Sequence, residues 1–496
     1  MKVPIWSLLL ASILWPSDLV VAQLSPEHKL GSLRFEPYSY QFEGRTVEAE
    51  LGRLVVKENR RHPNSRLIEL AFTRLKSTAP NPGAPVVYLD GGPGSSAIGI
   101  ARYPEYMRAF MKLREVGDVI LLDQRGVGLS RPNLTRISAE PLPLDFFARE
   151  ADALNIIKER SREAVEYFRR QGVDLPAYNS IESANDIDDL RKALGVAKIN
   201  LVGFSYGTHL ALAAIRYHGD HLNRVALMGT EGPNHTQKLP STSQKAIETL
   251  SKLIAQDPTV GAKVPDMAGL LKRILDRLEK EPATVRITDR RTNKPVDVKV
   301  GKFGVQIILM IDLGDTSDLP IFPALLYTID RGDYSILARF VERRYNQIGA
   351  GVPVMMEVMD SSSGATRDRI AQIKREARNA LLGNVMNFLD VGDVFGNPDL
   401  GDEYRSPIHT SVPTLFFSGT LDSSCPPFQA DEVRKYFRNS VHIIVGNAGH
   451  EDMVTNPQVQ QAVVDYFRGR DVSQQRIELP PVRFLPIPET SVAAPR

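Results

Sequence analysis

Ser205 stands at the centre of Gly203-Phe204-Ser205-Tyr206-Gly207, between an apolar run, Lys198 to Val202, and a helix-like run, Thr208 to Tyr217. A serine hydroxyl is a weak nucleophile unless a tight turn holds it exposed beside a base, and a strand-to-helix turn does this. The flanking glycines leave room for the turn and let a substrate approach the backbone. The helix that begins there aims its unpaired N–H groups at the place where an oxyanion forms. An ordinary glycine-rich turn shares the pattern, so the serine needs partners elsewhere in the chain.

Asp422 follows the short apolar run Pro413 to Phe417, and His450 follows Val441 to Val445. Both therefore sit at carboxyl ends of expected strands, the edge where an open α/β sheet binds ligands. There His450 would take the proton of Ser205 and return it to a leaving group. Asp422 would hold the imidazole tautomer and stabilise its charged form. His409 precedes its strand and His442 lies within one, so neither is at the right end; Asp402 and Asp431 are the alternative acids. An oxyanion also needs two backbone N–H donors. Tyr206, next to the serine, offers one, and Gly92 in Asp90-Gly91-Gly92-Pro93-Gly94-Ser95-Ser96 offers the other. A phosphate-binding loop would share those glycines, but no Gly-Lys-Ser/Thr ending follows. Asp123-Gln124-Arg125-Gly126, after Val119 to Leu122, reads as a braced loop beside them rather than a catalytic element. The chain has no His-Glu-x-x-His, cysteine pair or EF-hand loop, so neither a metal nor a cofactor is expected.

These residues need a framework that gathers the ends of separate strands. Val86 to Leu89, Val119 to Leu122, Ile199 to Val202, Arg224 to Met228, Pro413 to Phe417 and Val441 to Val445 read as strands buried on both faces. Helical patterns at Ser183 to Leu194, Thr208 to Tyr217 and Ala430 to Phe437 separate several of them. The fold class is therefore α/β, a mostly parallel sheet flanked by helices. Gly31 to Thr73 alternates β-rich runs with turn residues, as antiparallel strands opening that sheet would. Pro233 to Tyr404 breaks the period. It reads as helices (Ser243 to Ile254, Ala268 to Leu278, Ile336 to Arg344, Arg367 to Leu382) with one hairpin, Thr284 to Val300. The expected organisation is a signal peptide at 1–22, a first core part at 23–232, a helical cap at 233–405, a second core part at 406–470 and a proline-rich tail at 471–496. Leu479 to Arg496 is expected to be poorly ordered.

Composition excludes more than it selects. Of 496 residues, 42% are hydrophobic and 24% charged, and a net charge of +2 with scattered basic residues argues against nucleic acid as a partner. Lys2, the apolar stretch Ile5 to Leu14 and Val20-Val21-Ala22 form a secretory signal cleaved after Ala22, giving an exported, periplasmic or secreted protein. Pro16 and Asp18 interrupt that stretch too soon for stable membrane insertion. Cys425 is the only cysteine, so no internal disulfide forms and stability comes from packing.

Gly91-Gly92-Pro93-Gly94, the Asp123-Gln124-Arg125-Gly126 loop, the pentapeptide around Ser205, Gly419-Thr420-Leu421-Asp422 and Gly449-His450 together resemble the α/β-hydrolase family of proline iminopeptidases and tripeptidyl aminopeptidases. The resemblance covers Pro85 to Thr230 and Pro407 to Phe467, and the final segment is similar to the tripeptidyl type. It implies a Ser205, Asp422, His450 triad, a helical cap, and release of prolyl or tripeptidyl residues from the amino end of peptides. In the family the cap carries acids that hold the substrate amine; Glu231, Glu357 and Asp360 are the candidates by charge, although an acid in a cap is commonly a solvated helix face. Proline iminopeptidases carry histidine where this chain has Asp90. A carboxylesterase or lactonase with the same triad is the alternative, since the pocket and not the triad sets the substrate. A non-catalytic binding protein on the same fold is the third reading, against which the intact constellation argues.

Overall fold

The structure is a computed structural model describing residues 29–138, 140–388 and 391–488, so the signal-peptide segment lies outside the described residues. In chain order the first strands are β1 (Leu33–Phe42), β2 (Arg45–Lys57), β3 (Leu67–Leu75), β4 (Val86–Leu89), β5 (Val119–Asp123), β6 (Thr135–Ile137) and β7 (Ile199–Phe204). They continue with β8 (Leu222–Met228), β9 (Ala283–Asp289), β10 (Lys294–Val300), β11 (Gly351–Pro353), β12 (Thr414–Gly419), β13 (Ser440–Gly446) and β14 (Ile477–Glu478). The central sheet runs β1-β2-β3-β5-β4-β7-β8-β12-β13-β14. The β1-to-β5 edge is antiparallel, and every pairing from β5 onward is parallel.

The buried runs of the sequence become strands because both faces of the sheet are covered. Val87, Leu89, Ile120, Leu122 and Leu201 pack against Ile187 and Leu190 of the helix Ser180–Ala193 and Leu210 of the helix Tyr206–His218. Their neighbours Val86, Tyr88, Val119, Leu121 and Val202 point the other way, into a second cluster with Phe110 and Val463. This alternation is the period-2 geometry of a strand, with apolar partners on each side. Each fully buried Leu, Ile or Phe contributes about 1.5–3 kcal/mol.

After β4 the chain crosses to one side to form β5, then passes back over β4 to form β7 on the other. The carboxyl ends of β4 and β7 therefore flank the point where strand order reverses, the place where open α/β sheets have their crevice.

Between β8 and β12 the chain forms the helices Pro240–Gln256, Met267–Lys280, Lys302–Asp312, Phe322–Asp330, Ser335–Gly349, Val354–Ser363 and Arg367–Glu376, with β9 and β10 as a hairpin. The last of these is shorter than the expected Arg367 to Leu382, since 377–382 is turn and irregular chain. Part of the segment between β5 and β7, residues 135–170, which the sequence places in the first core part, joins this layer. Its β6 pairs antiparallel with β11, Phe146 packs on Phe303 and Phe388, and the helix Glu150–Arg170 lies against Val354–Ser363. The layer over the sheet is thus built from two separate stretches of chain.

The tail departs from expectation. Through residue 488 it is docked: β14 adds to the edge of β13, and Phe484 and Ile487 are buried. The Leu485 N–H donates to the Pro320 carbonyl at 2.9 Å, and Lys263 Nζ donates to the Ile487 carbonyl at 3.3 Å. Prolines remove backbone donors and stiffen φ, which lowers the entropy lost when such an extended segment docks. No helix among the described residues is long and apolar enough to cross a membrane.

Candidate active site

Ser205 occupies the turn between β7 and the helix Tyr206–His218 with φ 53° and ψ −124°, left-handed backbone that a residue with a Cβ adopts only when its surroundings enforce it. The enforcement is visible. The Ser205 N–H donates to the Met228 carbonyl at 3.0 Å, and its own carbonyl accepts from the Thr208 N–H at 2.8 Å and from the Thr208 hydroxyl at 2.6 Å. Gly207 is required because a Cβ there would lie 2.0 Å from the Leu89 carbonyl oxygen, so the helix start is pressed onto the end of β4.

That contact brings the Asp90–Ser96 loop to the serine. A Cβ on Gly91 would lie 2.8 Å from Ser205 Cβ and 3.3 Å from Oγ, so the loop backbone stands beside the hydroxyl. Gly92 follows with φ 110°, a conformation suited to glycine. Asp123 braces the loop: its carboxylate accepts from the Ser96 hydroxyl at 2.7 Å, the Ile98 N–H at 3.1 Å and the Leu129 N–H at 2.8 Å. Arg125 is buried and holds Asp186 through two donors at 2.7 Å while reaching the Glu58 and Ala177 carbonyls, so it ties β2 to the helix Ser180–Ala193. Both residues of this loop are committed to structure.

Asp90 opens the glycine-rich loop directly after β4. It is buried, accepts from the Tyr88 hydroxyl at 2.9 Å, and burial pushes its carboxyl up to about 6 against the hydrogen bonds from Tyr88, Gly91 and Ser95.

His450 Nδ1 lies 2.8 Å from Asp422 Oδ2, so Nδ1–H donates to the carboxylate and Nε2 keeps its lone pair. The Asp422 side chain is fully buried; burial alone would raise its carboxyl, but His450 and the N–H groups of Cys425 and Ser424 hold it below the usual range. Those N–H groups donate to Oδ1 at 2.8 Å each. Cys425 serves Asp422 through its backbone and is itself buried. The imidazole packs on Phe204, the residue before the serine, with ring centroids 4.9 Å apart. A Cβ on Gly229, just past β8, would lie 3.0 Å from His450 Cε1. The cap approaches from above, where the His450 N–H donates to the Gly314 carbonyl at 2.8 Å. Imidazole and carboxylate are thus paired at the carboxyl end of the sheet, with the ring against the residue that precedes Ser205, and such a pair is able to pass a proton from a hydroxyl to a leaving group.

The alternative acids are elsewhere engaged, Asp431 with Arg434 and His442, and Asp402 with Arg405. The three acids expected at a substrate amine separate. Glu231 is buried in an ion pair with Lys238, which holds its carboxyl below the usual range despite burial. Glu357 is buried among apolar cap residues, accepts from the Ser161 hydroxyl at 2.9 Å, and is pushed up to about 8 by burial. Burial thus favours its uncharged form, which gives an ammonium no counter-charge. Asp360 is half-buried on the same helix, and its charge acts on Tyr206 and Lys238. His209, which sequence reasoning missed, lies under this region. It stacks on Tyr206, takes the Tyr404 hydroxyl at 2.7 Å on Nε2, and donates from Nδ1 to the Gly232 carbonyl at 3.1 Å. Its position four residues past Ser205 on a helix was the available signal.

The sequence profile described as "alpha/beta hydrolase fold" matches residues 84–457. The chain is 29% identical over 425 residues to serine protease Hip1 of Mycobacterium tuberculosis, covering 79% of each chain. It is 29% identical over 197 residues to a tripeptidyl aminopeptidase of Streptomyces lividans, covering 37% of this chain but only 36% of that protein's length. A solved proline iminopeptidase of Mycobacterium smegmatis aligns at 14% identity and a TM-score of 0.39, over 82% of this chain and 97% of its own. With the profile spanning most of the chain and the strand order that carries it in place, this protein belongs to the α/β-hydrolase fold family.

Proposed function

We propose that the protein is an exported serine aminopeptidase that forms an acyl-enzyme on Ser205 and releases prolyl or tripeptidyl residues from peptide amino termini. His450 Nε2 takes the Oγ proton as Oγ attacks the scissile carbonyl. The N–H groups of Gly92 and Tyr206 receive the oxyanion. The imidazolium, held by Asp422, gives its proton to the leaving amine, and water then repeats the cycle on the ester. The observation that carries the aminopeptidase reading is the charge beside the residue after the nucleophile. Asp360 and Glu231 both bring acidic charge to bear on Tyr206 there, and such charge favours a substrate ammonium. The relatives named above are a protease and an aminopeptidase, which supports peptides as substrates.

Tyr206 OH also meets Met359 Sδ at 3.2 Å, and Met355, Met356 and Val358 are buried on the same cap helix. This apolar side favours the second reading, a carboxylesterase or lactonase. Rates on free and N-acetylated prolyl- and tripeptidyl-arylamides and on short acyl esters separate the two. Free amides should be cleaved far faster than acetylated ones. Equal rates on both, or faster turnover of esters than of any amide, would sink the aminopeptidase reading. Export rests on the leader from Lys2 to Ala22. Amino-terminal sequencing of the extracytoplasmic protein should start at Gln23, and a purely cytoplasmic protein beginning at Met1 would refute it.

A further inference from the structure

We propose that Asp188, His218 and His221 form a binding site for a divalent d-block cation, with Zn²⁺ as the natural probe. No motif announces it, since the ligands come from two elements. Asp188 lies on the helix Ser180–Ala193, His218 ends the helix Tyr206–His218, and His221 closes the turn before β8. One ligand atom from each lies within 4.8 Å of the others.

Three details of hydrogen bonding point to a cation. His221 Nδ1 is shielded from solvent and has no hydrogen-bond partner, although Asp188 Oδ1 lies 2.8 Å away. His218 Nε2 lies 2.9 Å from Asn185 Oδ1; an amide oxygen only accepts, so this nitrogen carries the proton. The Nδ1 of neutral His218 is then a bare lone pair facing Asp188 Oδ2 at 3.7 Å. The His218 lone pair, an unpartnered ring nitrogen of His221 and a carboxylate thus converge on one another. A ring nitrogen that donates to an outer oxygen while the other faces inward is the usual arrangement of a metal-bound histidine.

Distances of about 2.0–2.2 Å from Zn²⁺ to nitrogen and oxygen place tetrahedral ligands about 3.4 Å apart, and the two spacings to Asp188, 2.8 Å from His221 and 3.7 Å from His218, straddle that value. His221 is partly exposed and free to close the remaining gap, and water fills the fourth position.

Two cations already use Asp188: Arg191 Nε at 2.8 Å from Oδ1 and Lys192 Nζ at 2.8 Å from Oδ2. A carboxylate has about four lone-pair sites, so each oxygen keeps one for a metal. The Lys192 charge nevertheless repels an incoming cation, which gives the proposal a signature of its own. The site also stands apart from the chemistry. The helix of 13 residues between Tyr206 and His218 puts it about 20 Å from Ser205. A bound ion would pin the far end of the helix that carries the nucleophile turn.

The test is calorimetric titration of untagged, EDTA-stripped and desalted protein with ZnCl₂, with Co²⁺ absorption as a report of imidazole ligation. One Zn²⁺ per chain with a micromolar dissociation constant is expected. His221→Ala and His218→Ala should each weaken it at least about tenfold. Lys192→Met should tighten it. Far-UV circular dichroism identifies any variant that fails to fold, and Lys192→Met, at an exposed position, keeps the test open in that case. Absence of saturable uptake would leave the trio as a carboxylate–imidazolium pair and overturn the proposal. Uptake unchanged in both histidine variants, or unaltered by Lys192→Met, would overturn it as well.

Discussion

At the scale of single residues, environment decides which carboxylates are charges and which are not. Asp360 and Glu357 share a helix but differ in burial, and the difference predicts opposite outcomes. Asp360→Asn should raise KM for free-amine arylamides by about tenfold or more, the cost of a lost charge-assisted contact, while leaving N-acetylated substrates unaffected. Glu357→Gln, replacing a group whose uncharged form burial favours, should leave KM near the parent value. A larger KM effect from Glu357→Gln than from Asp360→Asn would reverse the assignment. Asp90 makes a prediction about stability. Its carboxyl titrates near 6 in the folded chain against an ordinary 3.8, so the folded state holds its proton more tightly. That stabilisation is complete below about pH 4 and is lost as pH rises to about 6, a change on the order of 2–3 kcal/mol. Asp90→Asn keeps the acceptor for Tyr88 and removes the titration. In urea unfolding its stability should exceed that of the parent at pH 7, with the gap closing towards pH 4. A gap independent of pH would show that Asp90 is not the titrating group. The placing of Ser205, Asp422 and His450 at strand ends was legible in the sequence because each follows an apolar run that ends in a turn. The partners of Glu231 and Glu357 were not, because Lys238 and Ser161 meet them only through tertiary packing.

Among the elements, the sheet was readable and the layer above it only partly so. Strands such as Val86–Leu89 and Val119–Asp123 announce themselves as short apolar runs because both their faces are buried. The helices of the cap also show their period, but amphipathic periodicity names an apolar face without saying what covers it. The helix Glu150–Arg170 and its neighbour β6 are therefore recognisable as part of the cap only from their packing on Val354–Ser363 and β11. The tail was misread for a related reason. Proline-rich composition says that a segment makes little regular structure, not whether a surface awaits it. Phe484 is buried and Leu485 half exposed, so they form a matched pair. Phe484→Ala should destabilise the protein by about 2–4 kcal/mol, and Leu485→Ala by no more than about 0.5 kcal/mol. Similar midpoints for both in urea unfolding would mean that the tail is not docked in solution.

For the whole molecule, the sheet and the cap divide the work. The sheet brings Ser205, Asp422 and His450 to one edge through the reversal of strand order at β4 and β7. The cap, assembled from two stretches of chain and fastened to the histidine turn through Gly314, closes over that edge. All of this depends on Ser205 being the nucleophile. Treatment with a fluorophosphonate followed by tryptic mapping tests it directly, because the peptide Ile199 to Arg216 contains no serine other than Ser205. The label should appear on that peptide alone, in step with loss of arylamide hydrolysis, and Ser205→Ala should take up no label and retain essentially no turnover. Labelling of a different peptide, or substantial hydrolysis by Ser205→Ala, would contradict the mechanism at its root.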